Sequence, residues 1–173
     1  MKISKTLQRL MLLSLCGLSA GALAHVTLDQ PEARAGEPYK AVLKVGHGCD
    51  GSATTRISVG LPAGFRGAKP SPKAGWRLEL KRAPLATPYE SHGKVIADEL
   101  VEVTWTAQGE EHHLQDAWYE EFIVRGKLPE KTGPLWFKVR QSCVKGEWDW
   151  SEIPANGDST QGLKAPAARL ILK

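Results

Sequence analysis

The stretch YKAVLKV, residues 39–45, alternates apolar and polar side chains along its length. Successive side chains of an extended strand point to opposite faces, so Tyr39, Ala41, Leu43 and Val45 fall on one side. A period of two with one polar face is typical of an antiparallel strand that covers a core with one face and meets water with the other. The stretch therefore predicts a half-buried strand of a sheet.

The same alternation recurs along the chain. It is found at residues 54–61, 76–80, 100–106, 119–126 and 135–143, and in the closing ARLILK. Proline- and glycine-rich turns such as LPAGFRGAKPSPKAGW, KLPEKTGPLW and IPANGD separate these stretches, and no amphipathic helix is evident. Together they predict an all-β protein, an antiparallel β-sandwich. Residues 83–99 and 112–118 are poorly patterned, and we expect them to be loops.

The first 24 residues have the composition of a secretory signal. A basic start, MKISKTLQRL, precedes the apolar run LMLLSLCGLSAGALA, which ends in the small-residue pattern Ala22-Leu23-Ala24. Cleavage after Ala24 would place the protein in the periplasm or otherwise outside the cytoplasm; an uncleaved membrane anchor is the alternative. The remainder, residues 25–173, suits one domain, and because its end, LILK, contains no membrane span we expect it to be soluble.

The charge balance disfavours nucleic-acid binding. The leader contains three of the 23 Lys and Arg residues and none of the 19 Asp and Glu residues, so residues 25–173 carry a formal charge of +1. No cluster of Lys and Arg stands out in that part of the sequence.

Two cysteines, Cys49 and Cys143, remain after the leader. An even number in an exported chain favours a disulfide. A pair of thiolate metal ligands is the alternative, although nothing else in the sequence has the spacing of a thiolate site.

Cleavage after Ala24 would make His25 the first residue of the mature chain. Its free amine and its ring Nδ1 lie within chelating reach of each other, because both belong to one residue. Two nitrogens from one residue suit Cu(II), which heads the divalent affinity order and favours tetragonal nitrogen and oxygen ligation. The sequence thus predicts a copper site anchored at His25; the alternative is an ordinary histidine that the signal peptidase tolerates.

Further candidates for the site flank the cysteines. GHGCDGS, residues 46–52, contains His47 and Asp50, and these are either additional ligands or parts of an ordinary glycine-rich turn. A Cys49–Cys143 disulfide would bring CVKGEWDWSEIP near this turn, so that Trp148 or Trp150 could cover the metal and limit access of solvent. Core packing is the default alternative for both tryptophans.

Several segments resemble the YcnI-like family of exported copper-binding domains: HVTLDQPEARAGEPYKAVLKVGHGCDGSATT, PSPKAGW, YEEFIVRGKLP and LWFKVRQSCVKGEWDWSEIP. The resemblance implies an immunoglobulin-like β-sandwich. It also implies one Cu(II) held by the amino-terminal histidine, a carboxylate ligand and a nearby tryptophan. His25 matches that histidine, and the tryptophan matches Trp150 most naturally, with Trp148 and Trp136 as alternatives. The carboxylate has no clear match, and Asp50 and His47 are the candidates for its place.

The sequence therefore predicts a periplasmic Cu(II)-binding protein of copper homeostasis, a chaperone or buffer rather than an enzyme. Its partners would be the copper ion and another periplasmic or membrane copper protein. The alternatives are a copper-dependent polysaccharide monooxygenase, with His47, His92 or His112 as a second histidine, and a metal-free immunoglobulin-like interaction module. Both methionines lie in the leader, so that with paired cysteines residues 25–173 offer no sulfur ligand for Cu(I), and we expect Cu(II) to be preferred.

Overall fold

A computed structural model describes residues 25–173. Within them the chain forms strands and one short 3-10 turn. The strands are β1 (Thr27–Leu28), β2 (Glu32–Ala33), β3 (Pro38–Val45), β4 (Thr54–Gly60), β5 (Arg66–Pro70), β6 (Trp76–Ser91), β7 (Lys94–Ala107), β8 (Glu120–Lys127), β9 (Gly133–Cys143), β10 (Glu147–Trp150) and β11 (Ala168–Leu172), and the 3-10 turn is Glu110–His112. The predicted signal peptide, residues 1–24, lies outside the described residues.

The strands form two sheets. One has the order β1-β3-β8-β5, and the other has the order β2-β11-β9-β4-β7-β6, with β10 paired to β9. Neighbouring strands are antiparallel except β2 and β11, which are parallel. The predicted all-β antiparallel sandwich is confirmed.

The core lies between the two sheets and consists of the inward-facing residues that alternate along the strands. In β3, Tyr39, Ala41, Leu43 and Val45 are all buried, as the alternation predicts. Aromatic rings meet edge-on in the centre, where the ring centroids of Trp105 and Phe122 are 5.4 Å apart. Burial of such large apolar side chains is the main stabilising contribution to a sandwich of this kind.

The expectation that residues 83–99 form a loop is wrong. They belong to the long hairpin of β6 and β7, in which Arg82 pairs with Leu100 and Tyr89 pairs with Ile96. Irregularities in register interrupt the hairpin, and each one shifts the faces to which the following side chains point. Local alternation is lost there although the backbone pairing continues. By contrast, residues 113–118 form no strand, in agreement with the predicted loop.

Cys49 and Cys143 form the predicted disulfide, with their Cα atoms 5.9 Å apart. It joins the loop after β3 to the end of β9, across 94 positions of sequence. Because the bond ties these two segments together, the residues beside each cysteine are held at the same end of the sandwich. Cysteines paired in this way offer no thiolate to a metal.

Tyr39 connects β3 to the segment between β1 and β2. Its hydroxyl donates a hydrogen bond to the carbonyl of Gln30, at 2.6 Å. Burial, and secondly the negative charge of Asp29, raise the pKa of Tyr39 to about 12. The phenol is therefore held protonated in the folded protein.

Within residues 25–173, no helix has the length and apolar character needed to cross a membrane.

Candidate functional site

His25 lies at the end of the four-stranded sheet, two residues before β1. In the pairing of β1 with β3, Leu28 lies opposite Leu43 and Thr27 opposite Lys44. The same antiparallel register, extended by two residues beyond the pairing, would put His25 beside Gly46, the residue before His47. The short strand β1 thus directs the first residue of the predicted mature chain toward the end of β3, after which the loop with the second candidate histidine begins.

His47 is half-buried, and its orientation is set by its own loop. Its ring Nδ1 donates a hydrogen bond to the carbonyl oxygen of Gly48, at 2.5 Å. With Nδ1 protonated, the lone pair of the neutral ring lies on Nε2, the nitrogen through which this ring would bind a metal.

Trp150 contacts both candidate histidines. The centroid of its buried ring lies 5.5 Å from that of His25 and 6.1 Å from that of His47, and both contacts are edge-on. Trp148, two residues earlier on the same face of β10, stacks on Trp150 with a centroid distance of 5.1 Å and an interplanar angle of 22°. Trp150 is therefore the ring in contact with both histidines, and Trp148 packs against Trp150 by stacking.

Gln141 is the polar centre of this arrangement and was not anticipated from the sequence. Its side chain is fully buried, and its Oε1 accepts a hydrogen bond from Trp150 Nε1, at 3.0 Å. Its Nε2 donates to the carbonyl of His47, at 2.7 Å, and to Thr54 Oγ1, at 2.8 Å. Both amide hydrogens and one oxygen lone pair are used, so the buried amide is satisfied. One side chain thereby holds both Trp150 and the His47 loop.

A signal for Gln141 exists in the sequence. Gln141 follows Phe137 and Val139 in the series of inward-facing residues on β9. A polar residue therefore occupies a position at which the alternation predicts an apolar one. Such a residue has to find hydrogen-bond partners inside the protein, which marks the place where a buried network forms.

Asp50 is located in a tight turn. Asp50 and Gly51 have φ angles of 49° and 83°, and Cys49 and Ser52 exchange two backbone hydrogen bonds of 2.9 Å across them. Two consecutive positive φ values with the sequence Asp-Gly are typical of a type I′ hairpin turn. The side chain of Asp50 is exposed.

Asp116 is the carboxylate that the structure places against the His47 loop. Its Oδ1 accepts a hydrogen bond from the backbone N–H of Gly48, at 2.9 Å. The sequence did not single out this residue, because the contact spans 68 positions and joins two loops. It fixes the backbone directly after His47.

The other histidines lie elsewhere. His92 is exposed at the tip of the β6–β7 hairpin, with a φ angle of 50°. His112 belongs to the 3-10 turn and packs against Gly75, and His113 follows it. No contact connects His92, His112 or His113 with Trp150 among the ring contacts of the described residues.

The donor set of His25 and His47 fits a metal held mainly by nitrogen. Among the described residues, no group of three or more His, Cys, Asp or Glu side chains is arranged to hold a metal ion. The rings of His25 and His47 would instead supply two nitrogens, and the amine of His25 would supply a third. This amine is free only after cleavage. His25 Nε2 is also buried, with no hydrogen-bond partner in the described part of the chain. A buried ring nitrogen without a partner is unfavourable.

Comparison with known proteins identifies a family and finds similar solved structures. The family model described as Domain of unknown function (DUF1775) matches residues 25–172. The chain is also similar to an uncharacterized protein from Nocardia farcinica, whose crystal structure is described as revealing an immunoglobulin-like fold. Their TM-score is 0.64 at 27% sequence identity, with 86% of this chain and 97% of that chain covered. This likeness confirms the predicted immunoglobulin-like sandwich. Comparison with curated proteins gives no match.

Proposed function

The chain belongs to the family described as Domain of unknown function (DUF1775), and we propose that it is an exported protein that binds Cu(II) through His25 and His47. The YcnI-like family that the sequence resembles is known by this description, so the predicted family membership is confirmed. Copper binding, export and a role in copper homeostasis are our proposals for this member.

The observation that carries the proposal is the contact of both His25 and His47 with one buried ring, that of Trp150. The amine and Nδ1 of His25, together with His47 Nε2, would supply three nitrogen donors of the kind suited to Cu(II). The family match begins at His25, the residue that cleavage would expose, which also supports the proposal.

The protein's own residues would prepare this site before the metal arrives. Gln141 holds the backbone of His47 and the indole of Trp150, and Asp116 holds the next residue of the same loop. Groups that position ligands and shield them from solvent raise metal affinity, because less ordering is needed on binding. A copper chaperone or buffer needs such a prepared site and no reacting group beyond it.

Calorimetric titration of the mature chain, residues 25–173, with Cu(II) tests the proposal. We expect one equivalent to bind. His25→Ala and acetylation of the amine should each weaken binding at least about a hundredfold, because loss of outer residues alone costs 10–100-fold at metal sites. His92→Ala is the matched control and should bind like the wild type. Equal affinity after the amine is blocked would reject the site.

Spectroscopy then identifies the second ligand. Nitrogen hyperfine structure in the electron paramagnetic resonance spectrum of the Cu(II) protein should report three nitrogens, and His47→Ala should remove one of them. An unchanged spectrum in His47→Ala, with a changed one in Asp50→Asn, would show that Asp50 is the ligand instead. Mass spectrometry of the exported protein tests the premise that the mature chain begins at His25. A mature chain that starts elsewhere lacks the free amine of His25.

A second candidate function is favoured by the same pair of histidines. An amino-terminal histidine with one internal histidine is the arrangement that copper-dependent polysaccharide monooxygenases use, and His47 supports this candidate because its ring contacts Trp150, as the ring of His25 does. Release of oxidised oligosaccharides from chitin or cellulose, in the presence of copper and a reductant, would favour this enzyme. Absence of such products from a copper-loaded protein would favour the chaperone or buffer.

A further inference from the structure

A basic groove lies on the outer face of the four-stranded sheet. The far part of the β6–β7 hairpin forms one wall, and strands β5 and β8 form the floor. The cavity measures about 590 Å³. Its charged side chains are Arg66, Lys69, Arg125, Lys127 and, as the one acid in the lining, Glu90. We propose that this groove binds an extended acidic segment of a partner protein, by ion pairing with carboxylates placed two residues apart.

The cations are arranged in two rows across the sheet. Arg66 pairs in register with Lys127, and Lys69 pairs with Arg125. Directly paired residues of antiparallel strands point to the same face, so each row places two positive charges side by side. Lys40 on β3 pairs with Arg125 from the other side and extends the second row.

Few of these charges form ion pairs within the described part of the chain. Arg66, Lys69 and Arg125 take part in none of its ion pairs, while Lys127 reaches Glu130 at 3.2 Å in an exposed pair. Like charges opposite each other on a sheet are destabilising, and an exposed pair such as Lys127–Glu130 contributes little. Residues 25–173 carry a formal charge of only +1, so a concentration of cations in one groove is a local feature and not a consequence of a basic protein.

The wall of the groove is fixed by a buried carboxylate. Glu99 accepts hydrogen bonds from the backbone N–H of Gly67, at 3.1 Å, and from the hydroxyl of Tyr89. The guanidinium of Arg66 lies over the ring of Tyr89, 4.3 Å from its centroid. These contacts tie the hairpin to β5. The groove is therefore formed before any ligand binds, which lowers the ordering cost of binding.

The spacing of the rows indicates the chemistry of the ligand. Arg125 and Lys127 are two residues apart on one strand, which corresponds to about 6.7 Å. Alternate side chains of an extended peptide have the same separation. A peptide lying along β8 would thus present carboxylates at positions i and i+2 to the two rows, each carboxylate between two cations. Two such contacts would also relieve the repulsion within each row.

Fluorescence anisotropy with labelled peptides tests this proposal on the mature protein without copper. The probe is a peptide of alternating Glu and Ser. One control peptide has the same composition with its glutamates contiguous, and another has Gln in place of Glu. We expect the alternating peptide to bind, the contiguous one to bind several-fold more weakly, and the Gln peptide not to bind. High salt should weaken the binding, since exposed ion pairs are screened.

Charge reversal locates the binding. The double variant Arg125→Glu/Lys127→Glu should lose roughly tenfold or more in affinity, since it replaces two attractive charges by repulsive ones. Lys138→Glu/Arg140→Glu makes the same change on the outer face of the other sheet and is the matched control, expected to bind like the wild type. Lys69→Glu, on the edge strand β5, provides a second test should the double variant fail to fold.

Two results would overturn the proposal. One is equal binding of the alternating peptide by the wild type and the folded groove variants. The other is absence of peptide binding by the wild type. If the wild type then sediments with vesicles that contain phosphatidylglycerol, and the groove variants do not, the groove is a membrane-binding surface.

Discussion

Replacing Gln141 by leucine tests whether the buried amide holds the candidate site together. Leucine is close to glutamine in volume, so the change removes hydrogen bonds without opening a large cavity. Three groups lose a partner: Trp150 Nε1, Thr54 Oγ1 and the carbonyl of His47. Of the residues involved, Trp150 is 1% exposed and Thr54 is 0% exposed, so water cannot replace the lost bonds without a change in structure.

The expected magnitude follows from these contacts. Leaving a buried polar group without a partner costs about 1–3 kcal/mol, and burial of an apolar side chain in place of an amide recovers part of this. Gln141→Leu leaves two fully buried groups and one partly buried group without this partner. We therefore expect the free energy of unfolding to fall by about 2–4 kcal/mol. For a domain of this size, a loss of 3 kcal/mol corresponds to a decrease in Tm of roughly 6–12 °C.

Urea unfolding followed by far-ultraviolet circular dichroism measures the change, and the indole N–H resonance of Trp150 reports on the site itself. We expect this resonance to shift in Gln141→Leu, because its acceptor is gone. Gln161→Leu, at an exposed position, is the control and should stay within about 0.5 kcal/mol of the wild type. A Gln141→Leu protein as stable as the control, with the Trp150 resonance in place, would refute the role assigned to the network.

Three further predictions concern the fold. Replacing both Cys49 and Cys143 by alanine should lower the free energy of unfolding by about 2–5 kcal/mol in urea titrations; no change would mean that the disulfide does not constrain the unfolded chain. Because the folded-state pKa of Tyr39 is raised from 10.0 to about 12, the wild type should lose stability relative to Tyr39→Phe as the pH rises through this interval, by at most about 2.7 kcal/mol. A pH-independent difference in urea midpoints would contradict that pKa. Gly48→Ala would place a Cβ 1.9 Å from the carbonyl oxygen of Ser52, so we expect a loss of about 1–3 kcal/mol in thermal unfolding, and wild-type stability would show that the loop adapts freely.

The sequence predicted the fold class because the information is local. Alternation of apolar and polar residues, as in residues 39–45, depends only on the two-residue period of a strand and on which face is buried. The same method failed at residues 83–99, because irregular register and an exposed hairpin remove the alternation while backbone pairing continues. An exposed hairpin does not need an apolar face, and its sequence therefore carries little signal.

The sequence also predicted which chemical groups a copper site would use. His25 follows the small-residue pattern of a cleavage signal, and the two cysteines are the natural disulfide pair of an exported chain. Neither inference depends on knowing how the strands are arranged. The positions of His47 and Asp50 relative to Trp150 did depend on it, and the sequence could not separate the two, since both lie in one short loop and either residue type can bind a metal.

The sequence predicted a tryptophan near the His47 loop, but only the tertiary structure showed that Trp150 contacts both His25 and His47 and that Gln141 binds the indole and the His47 loop. The tertiary structure also placed Asp50 in an exposed turn. These relations join segments as far apart as His25 and Trp150, and they depend on strand register and on which sheet each strand enters. Periodicity along the chain determines which face of a strand is buried, whereas the identity of the neighbours across that face is decided by the packing of the whole sandwich.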